Sequence, residues 1–191
     1  MKYDPLTRIL HLLVAAGVTA QLLNSLVMIH PKPGRLPNVW YEVHEGVGLA
    51  VLAVVMAYWL WVAVRSVAQG EAPMLFPWFS RRRLAELADD VRATGRELRR
   101  CRLPAETQSR PLPAAIQGIG LLLALFLAAS GAVLAVGAAP TGGWPPAVRM
   151  VKEAHEAVAP LMWAYLAVHP LLGVLHQLAG HRSLSRMFGP G

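Results

Sequence analysis

Charged residues are scarce in this chain of 191 residues. Only 15% are Asp, Glu, Lys or Arg and 55% are apolar, whereas a water-soluble domain carries about 25% charged residues. The chain therefore holds more apolar surface than such a domain could bury, which favours a membrane protein. Cysteine is also nearly absent. Because Cys101 is alone, an intrachain disulfide and a cysteine-ligated iron–sulfur or zinc cluster are excluded.

Four uncharged apolar runs are long enough to cross a bilayer core about 30 Å thick. They extend over Ile9 to Ile29, Val47 to Val64, Ala114 to Val136 and Ala157 to Leu178. The first run is too long for the apolar region of an excised signal peptide and is expected to remain as a helix. The sequence therefore predicts an all-α fold, an integral membrane four-helix bundle. It forms one domain over residues 1–191, with helices at about residues 7–29, 41–65, 113–137 and 153–179.

Basic residues are unevenly distributed between the segments that connect these runs. Fourteen Lys and Arg residues lie before the first helix, between the second and third, or after the fourth, and four lie in the other two loops. Because basic flanking segments stay in the cytoplasm, both termini of this multi-pass membrane protein are predicted to be cytoplasmic. Attraction to anionic lipid accounts for most of the net charge of +7, so no nucleic-acid partner is expected.

The connection over residues 66–112 has a periodicity of its own. Four apolar residues recur at near-helical spacing among charges: Leu84, Leu87, Val91 and Leu98. They predict a basic amphipathic helix from Arg81 to Arg100, in the cytoplasmic loop between helices two and three. This helix either lies on the membrane surface, with arginines among the headgroups, or docks a cytoplasmic partner.

Five of the seven histidines fall within the predicted helices: His11, His44, His155, His169 and His176. Polar side chains inside a bilayer are costly, so each is expected to face the bundle interior and to have a partner. One such histidine alone is most simply explained by a hydrogen bond to a carbonyl of a neighbouring helix. Four of them at matching depths favour a cofactor instead.

The depths of the histidines predict how they pair. His155 and His169 are fourteen residues apart, close to four helical turns, and therefore project from one face of the fourth helix, roughly 21 Å apart along its axis. In the predicted topology, His44 and His155 lie near the outer surface, and His11 and His169 lie nearer the cytoplasm. We therefore predict that His44 and His155 ligate the iron of an outer haem, and that His11 and His169 ligate the iron of an inner one.

Haem is the cofactor that suits two separate pairs of imidazoles. Both axial positions of the iron are then filled, and the iron carries electrons instead of binding oxygen. Zinc and copper are disfavoured because each pair offers only two protein ligands and no carboxylate completes a site. No Cys-x-x-Cys-His motif is present, so both haems are predicted to be noncovalent and of the b type.

Small residues near the predicted ligands would leave room for a porphyrin plane. They are Gly46 and Gly48 after His44, Gly118 and Gly120 in the third run, and Ala157 beside His155. Small residues also serve in ordinary close packing between membrane helices, so both interpretations are open. Gly48 is the residue that we retain as a candidate haem contact.

His176 and Arg8 are the remaining candidates for cofactor contacts. His176 shares a helix face with His169 and is predicted to contact a quinone oxygen or a haem propionate, or to lie among lipid headgroups. It is also the alternative inner ligand. Arg8, like Arg182 and Arg186, either neutralises a propionate or anchors a helix end.

Three segments carry a resemblance to a known family. They are Tyr3-Asp4-Pro5-Leu6-Thr7-Arg8-Ile9-Leu10-His11, Val43-His44-Glu45-Gly46-Val47-Gly48, and Glu153-Ala154-His155-Glu156 with the later His169, His176 and Ser185-Arg186-Met187. They resemble the bacterial cytochrome b561 family, which includes the b-type membrane subunits of nickel–iron hydrogenases and formate dehydrogenases. The resemblance implies a four-helix core and two haems, and it implies exchange of electrons with a membrane quinone such as ubiquinone or menaquinone. The ligands that it implies are His11, His44, His155 and His169. The location that it implies is the bacterial cytoplasmic (inner) membrane.

The leading functional prediction is transmembrane electron transfer between a periplasmic-side donor and membrane quinone. In one version the donor is a periplasmic redox subunit or cytochrome, which the long basic loop favours. In another the chain is an enzyme by itself, a superoxide:quinone oxidoreductase. A haem-free structural or transport bundle is the third hypothesis. Other candidate partners are membrane lipid and a second copy of the chain in a homodimer.

Overall fold

The computed structural model describes residues 4–32, 34–69, 75–100, 102, 111–138, 144–180 and 183–188. Apart from an isolated β-bridge in a loop, the regular elements of these ranges are helical. They are α1 (Pro5–Ser25), α2 (Val39–Gln69), a 3₁₀ turn (Pro77–Phe79), α3 (Arg81–Arg99), α4 (Pro111–Gly137), α5 (Pro146–Leu178) and α6 (Ser183–Phe188). Of these, α1, α2, α4 and α5 are long and apolar enough to cross a membrane. The predicted all-α fold with four membrane spans is thereby confirmed.

The first span ends earlier than its apolar run predicts, and Asn38 is the cause. α1 ends at Ser25, while the run continues to Ile29. The Asn38 side chain donates to the Val27 carbonyl at 3.0 Å and accepts from the Ile29 amide at 2.9 Å. Its Oδ1 also accepts from the Tyr41 amide at 3.2 Å, which caps the start of α2. One polar side chain therefore closes the loop and begins the next helix.

α3 occupies almost the range that the apolar spacing predicts. The helix covers Arg81–Arg99 and is capped by Ser80, whose hydroxyl accepts from the Arg83 amide. Asp90 accepts from the Leu112 amide at 3.0 Å, which ties α3 to the first turn of α4. Its cytoplasmic location remains a prediction.

The chain divides into two compact units. The first unit consists of Met1–Arg8, Trp59–Leu121 and Ala167–Gly191, and the second consists of Ile9–Tyr58 and Leu122–Leu166. Each is held together by its own polar and apolar contacts.

In the first unit, a polar cluster joins the start of α1 to the last turns of α2. Asp4 caps α1, because its carboxylate accepts from the Thr7 amide at 2.8 Å and from the Thr7 hydroxyl at 2.6 Å. Arg65 pairs with Asp4, and both Arg65 and Trp61 donate to the Thr7 hydroxyl at 2.9 Å. Burial raises the pKa of Asp4, but these hydrogen bonds and the charge of Arg65 lower it by more, so the pKa lies below its ordinary value.

The first unit also contains a buried segment just before α3. Leu75 and Pro77 are buried, and the Phe76 ring stacks on Trp59 of α2 with 5.1 Å between ring centroids. Gly118 of α4 permits this arrangement, because a Cβ at that position would overlap the Leu75 carbonyl. The glycine therefore serves here in close backbone packing.

Candidate haem-ligand site

His155 lies in the third turn of α5, where two small residues of α4 contact its ring. The Ser130 hydroxyl oxygen lies 2.8 Å from Nδ1 of His155 and 2.6 Å from the Phe126 carbonyl oxygen. Ser130 is only 7% exposed. At the next residue, Gly131, an added Cβ would lie 3.5 Å from Cε1 of the imidazole. Both the ring nitrogen and the ring edge are thus positioned by α4.

His44 lies in the second turn of α2 and is positioned through its backbone by α1. Gln21 donates from Nε2 to the His44 carbonyl at 2.8 Å. Gly48 makes room for this side chain, because a Cβ there would come within 2.6 Å of Nε2. One turn along α1, Asn24 donates to the Trp40 carbonyl at 3.0 Å. Two carboxamides therefore join α1 to the part of α2 that carries His44.

The structure brings His44 and His155 into the same unit. The other predicted pair is divided, since His11 belongs to the second unit and His169 to the first. The roles of all four as iron ligands remain predictions.

The donor set around His44 and His155 fits a haem iron. Nδ1 of His44 is buried and has no hydrogen-bond partner among the residues described, so no described hydrogen bond at Nδ1 holds this imidazole in a structural role. Gly46 is exposed, and a Cβ added there would meet nothing within 4 Å, so its open space does not identify a haem cavity. The described residues contain no group of three or more His, Cys, Asp or Glu that could hold a bare metal ion. Two imidazoles suffice for haem iron, because the porphyrin supplies the remaining ligands.

The remaining predicted contacts lie in different places. Gly48 contacts Gln21, as described above. Arg8 donates from Nε to the Met187 carbonyl at 2.5 Å, which joins the start of α1 to α6. His176 is partly exposed and lies in the first unit. Cys101, His181, Arg182 and the side chain of Arg186 lie outside the described residues.

A cationic cluster lies beside the first turns of α5, close in sequence to His155. Lys152 stands 5.6 Å from the centroid of the Trp144 ring, and His30 lies 6.1 Å from the same ring. Partial burial lowers the pKa of His30, and the charges of Lys152, Lys32 and, more weakly, Arg35 lower it further, while the charge of Glu156 raises it by less. The net effect is a pKa below its ordinary value, which favours the neutral imidazole.

Sequence reasoning missed three residues of this site: Gln21, Ser130 and Gly131. Their signal was polarity, because a carboxamide or a hydroxyl within an apolar span needs a partner, just as a histidine does. Gly131, next to Ser130, was indistinguishable from the other glycines of the spans. Without the fold, nothing identifies His155 as the partner of Ser130.

Comparison with known proteins identifies one family. The sequence model for the family described as prokaryotic cytochrome b561 matches residues 2–190, nearly the whole chain. No curated protein matches the chain, and neither does any solved structure. The match confirms the resemblance carried by the three histidine-containing segments.

Proposed function

Because this chain belongs to the prokaryotic cytochrome b561 family, we propose that it passes single electrons across the membrane through two noncovalently bound b-type haems. Membership itself implies a multi-pass membrane protein that uses b-type haem in electron transfer. We assign the outer haem to His44 and His155 and the inner haem to His11 and His169. Both termini are cytoplasmic, and electrons pass between a periplasmic-side donor and membrane quinone.

The observation that carries this proposal is the environment of His44 and His155. The two imidazoles come from α2 and α5 within one unit, and the backbone or ring of each is held by a neighbouring helix. Haem bound there supplies a one-electron carrier. The protein's part is to hold both rings in place and keep other ligands from the iron.

We assign His176 to quinone contact near the inner end of α5. Its neighbour Gln177 donates to the Ser185 hydroxyl at 3.0 Å and accepts from the Ser185 amide at 3.2 Å. Gln177 is therefore engaged in holding α6 against α5. An imidazole at this place can donate to or accept from a quinone oxygen.

Haem stoichiometry in single-histidine variants tests the proposal. The detergent-purified protein is expected to show two b haems per chain in a pyridine haemochrome assay, together with a dithionite-minus-ferricyanide difference spectrum. His44→Ala and His155→Ala should each retain only the inner haem, and His169→Ala only the outer one. His30→Ala is the matched control, because this histidine lies outside the four spans and should leave both haems in place.

The outcomes separate the hypotheses. One haem per chain in the unmodified protein would leave only one histidine pair as a ligand set. Protein without haem, in cells supplied with haem precursor, would contradict the proposal and favour a haem-free bundle. Loss of haem from His30→Ala equal to that from His155→Ala would contradict the ligand assignment.

A second candidate is a stand-alone superoxide:quinone oxidoreductase, and the cationic cluster favours it. The charges of Lys32, Arg35 and Lys152 act on His30, and Glu156 opposes them in part. Lys152, which pairs with Glu156 at 2.5 Å, lies three residues before His155 in the sequence. A positive surface near the outer ligands would attract an anionic donor. The test supplies enzymatically generated superoxide to the purified chain and measures quinone reduction. Reduction by the chain alone, weakened by Lys152→Gln and by added salt, supports this candidate. Copurification of a redox subunit, with no such reduction, supports the subunit role.

A further inference from the structure

We propose that Ser130 is a positioning residue that fixes the tautomer of His155 and makes it the stronger electron donor of the two outer ligands. The inference rests on the haem ligation proposed above. It assigns to α4, which carries no histidine, a direct part in setting the redox potential of the outer haem.

A count of protons supports the tautomer. A serine hydroxyl has one proton to donate and can accept further hydrogen bonds. Ser130 lies 2.6 Å from the Phe126 carbonyl oxygen, which can only accept, so its proton is used there. The contact of 2.8 Å with His155 must then run the other way, with Nδ1–H as donor and the hydroxyl oxygen as acceptor. Because a neutral imidazole has one proton, Nε2 is left with its lone pair, ready for iron.

The two outer ligands differ in this respect. Nδ1 of His155 has an acceptor, whereas the buried Nδ1 of His44 has none within the described part of the chain. An acceptor at the distal N–H increases the basicity of a ligating imidazole and holds its orientation. A more basic ligand stabilises the ferric over the ferrous iron. Ser130 is therefore expected to lower the midpoint potential of the outer haem.

Gly131 strengthens the same arrangement. An added Cβ there would lie 3.5 Å from Cε1 and 4.0 Å from Nδ1 of His155, so the backbone of α4 lies close against the ring. The imidazole edge that carries Nδ1 therefore lies beside α4, and the hydroxyl is reached without rotation of the ring. The serine supplies the acceptor, and the small residue that follows it leaves the ring space that a large side chain would fill.

The test is a potentiometric titration of the haem-loaded protein, with low-temperature electron paramagnetic resonance of the ferric state. Ser130→Ala removes the acceptor with little change in volume, and Ser130→Thr restores it. Thr19→Ala is the matched control, because the Thr19 hydroxyl also bonds to a carbonyl of its own helix, that of Ala15 at 2.7 Å. In Ser130→Ala, one of the two redox waves should move to higher potential, and one of the two low-spin ferric signals should shift. Ser130→Thr and Thr19→Ala should match the unmodified protein.

Haem content separates failure of this inference from failure of the haem proposal. Two haems in Ser130→Ala with both waves unmoved would overturn the inference and leave the haem proposal intact. Loss of one haem from Ser130→Ala but not from Ser130→Thr supports the inference, since the hydroxyl is then required. Loss from both variants would overturn it, because packing at residue 130 would then explain the effect. An unmodified protein without haem would overturn the proposed function itself.

Discussion

The contact between Gly131 and His155 predicts a graded response to side-chain size. A methyl group at residue 131 would lie 3.5 Å from Cε1 of the imidazole, which is ordinary van der Waals contact, so Gly131→Ala should keep both haems. Gly131→Leu adds three more carbon atoms where the ring stands, and overpacking of this kind costs about 1–3 kcal/mol. If the ring must move to accommodate them, affinity for the outer haem falls about 5- to 150-fold. Haem titration of the purified protein, followed in the Soret band, measures this loss.

Ala129→Leu is the matched control for that series. Ala129 precedes Ser130 on α4 and is exposed, so the same leucine there should leave both haems bound. Leucine favours membrane insertion more than glycine does. A loss of haem from Gly131→Leu could therefore not be explained by failure of the protein to insert into the membrane. The reasoning is refuted if Gly131→Leu binds two haems with unchanged affinity, or if Ala129→Leu weakens haem binding equally.

Three further predictions concern the first unit. Asp4→Ala should lower stability by about 1–2 kcal/mol through loss of the helix cap, measured by thermal unfolding in detergent. The pKa of Asp4 is lowered in the folded protein, so its carboxylate stabilises the fold at neutral pH, and this stabilisation is lost as the pH falls below 3.8, the ordinary pKa. The variant should not show this loss of stability. Gly118→Ala should lower the stability of the protein by about 1–3 kcal/mol, because the added methyl group overlaps a backbone carbonyl. Gly95→Ala, which has open space around it, should raise stability by up to about 1 kcal/mol. A more stable Gly118→Ala than Gly95→Ala would contradict the packing. The third prediction uses a nitroxide label in a cysteine-free variant placed in nanodiscs with anionic lipid. A label on Val91→Cys should be more accessible to dissolved oxygen than to a water-soluble nickel chelate. One on Arg82→Cys, at a strongly exposed position, should do the opposite, and equal values would contradict a membrane-surface position for α3.

The elements that sequence reasoning located best are those specified by local composition. The four spans follow from uninterrupted apolar runs, and α3 follows from apolar residues at helical spacing. The predicted end of α1 was wrong because the apolar run continues past Ser25. Hydropathy cannot predict the hydrogen bonds that Asn38 makes to Val27 and Ile29. A side chain that follows the loop determines where the helix before it stops.

The features of the candidate site also differ in how far the sequence predicts them. The predicted pairing of His44 with His155 rests on depth, because helix geometry converts residue numbers into distances along an axis; the structure places both histidines in one unit, and their pairing on iron stays a prediction. The contacts of Ser130 and Gln21 depend on how neighbouring helices are rotated and how closely they approach, which spacing within one helix does not specify. Gly48 illustrates the limit, since its sequence position next to His44 suggested space for a porphyrin, and the structure places the Gln21 side chain against it.

The backbone contact between Leu75 and Gly118 bears on the order in which the chain can be assembled during synthesis. Leu75 leaves the ribosome well before Gly118, so Phe76 can stack on Trp59 of α2 at once, but the close backbone contact of Leu75 forms only after α4 has been made and inserted. α1 and α2 must first be stabilised by their own contacts, such as the close approach of Gly17 to Val51. A nascent chain that stops short of α4 would therefore lack the partner of the Leu75 backbone, and arrival of α4 is the step that completes this part of the molecule.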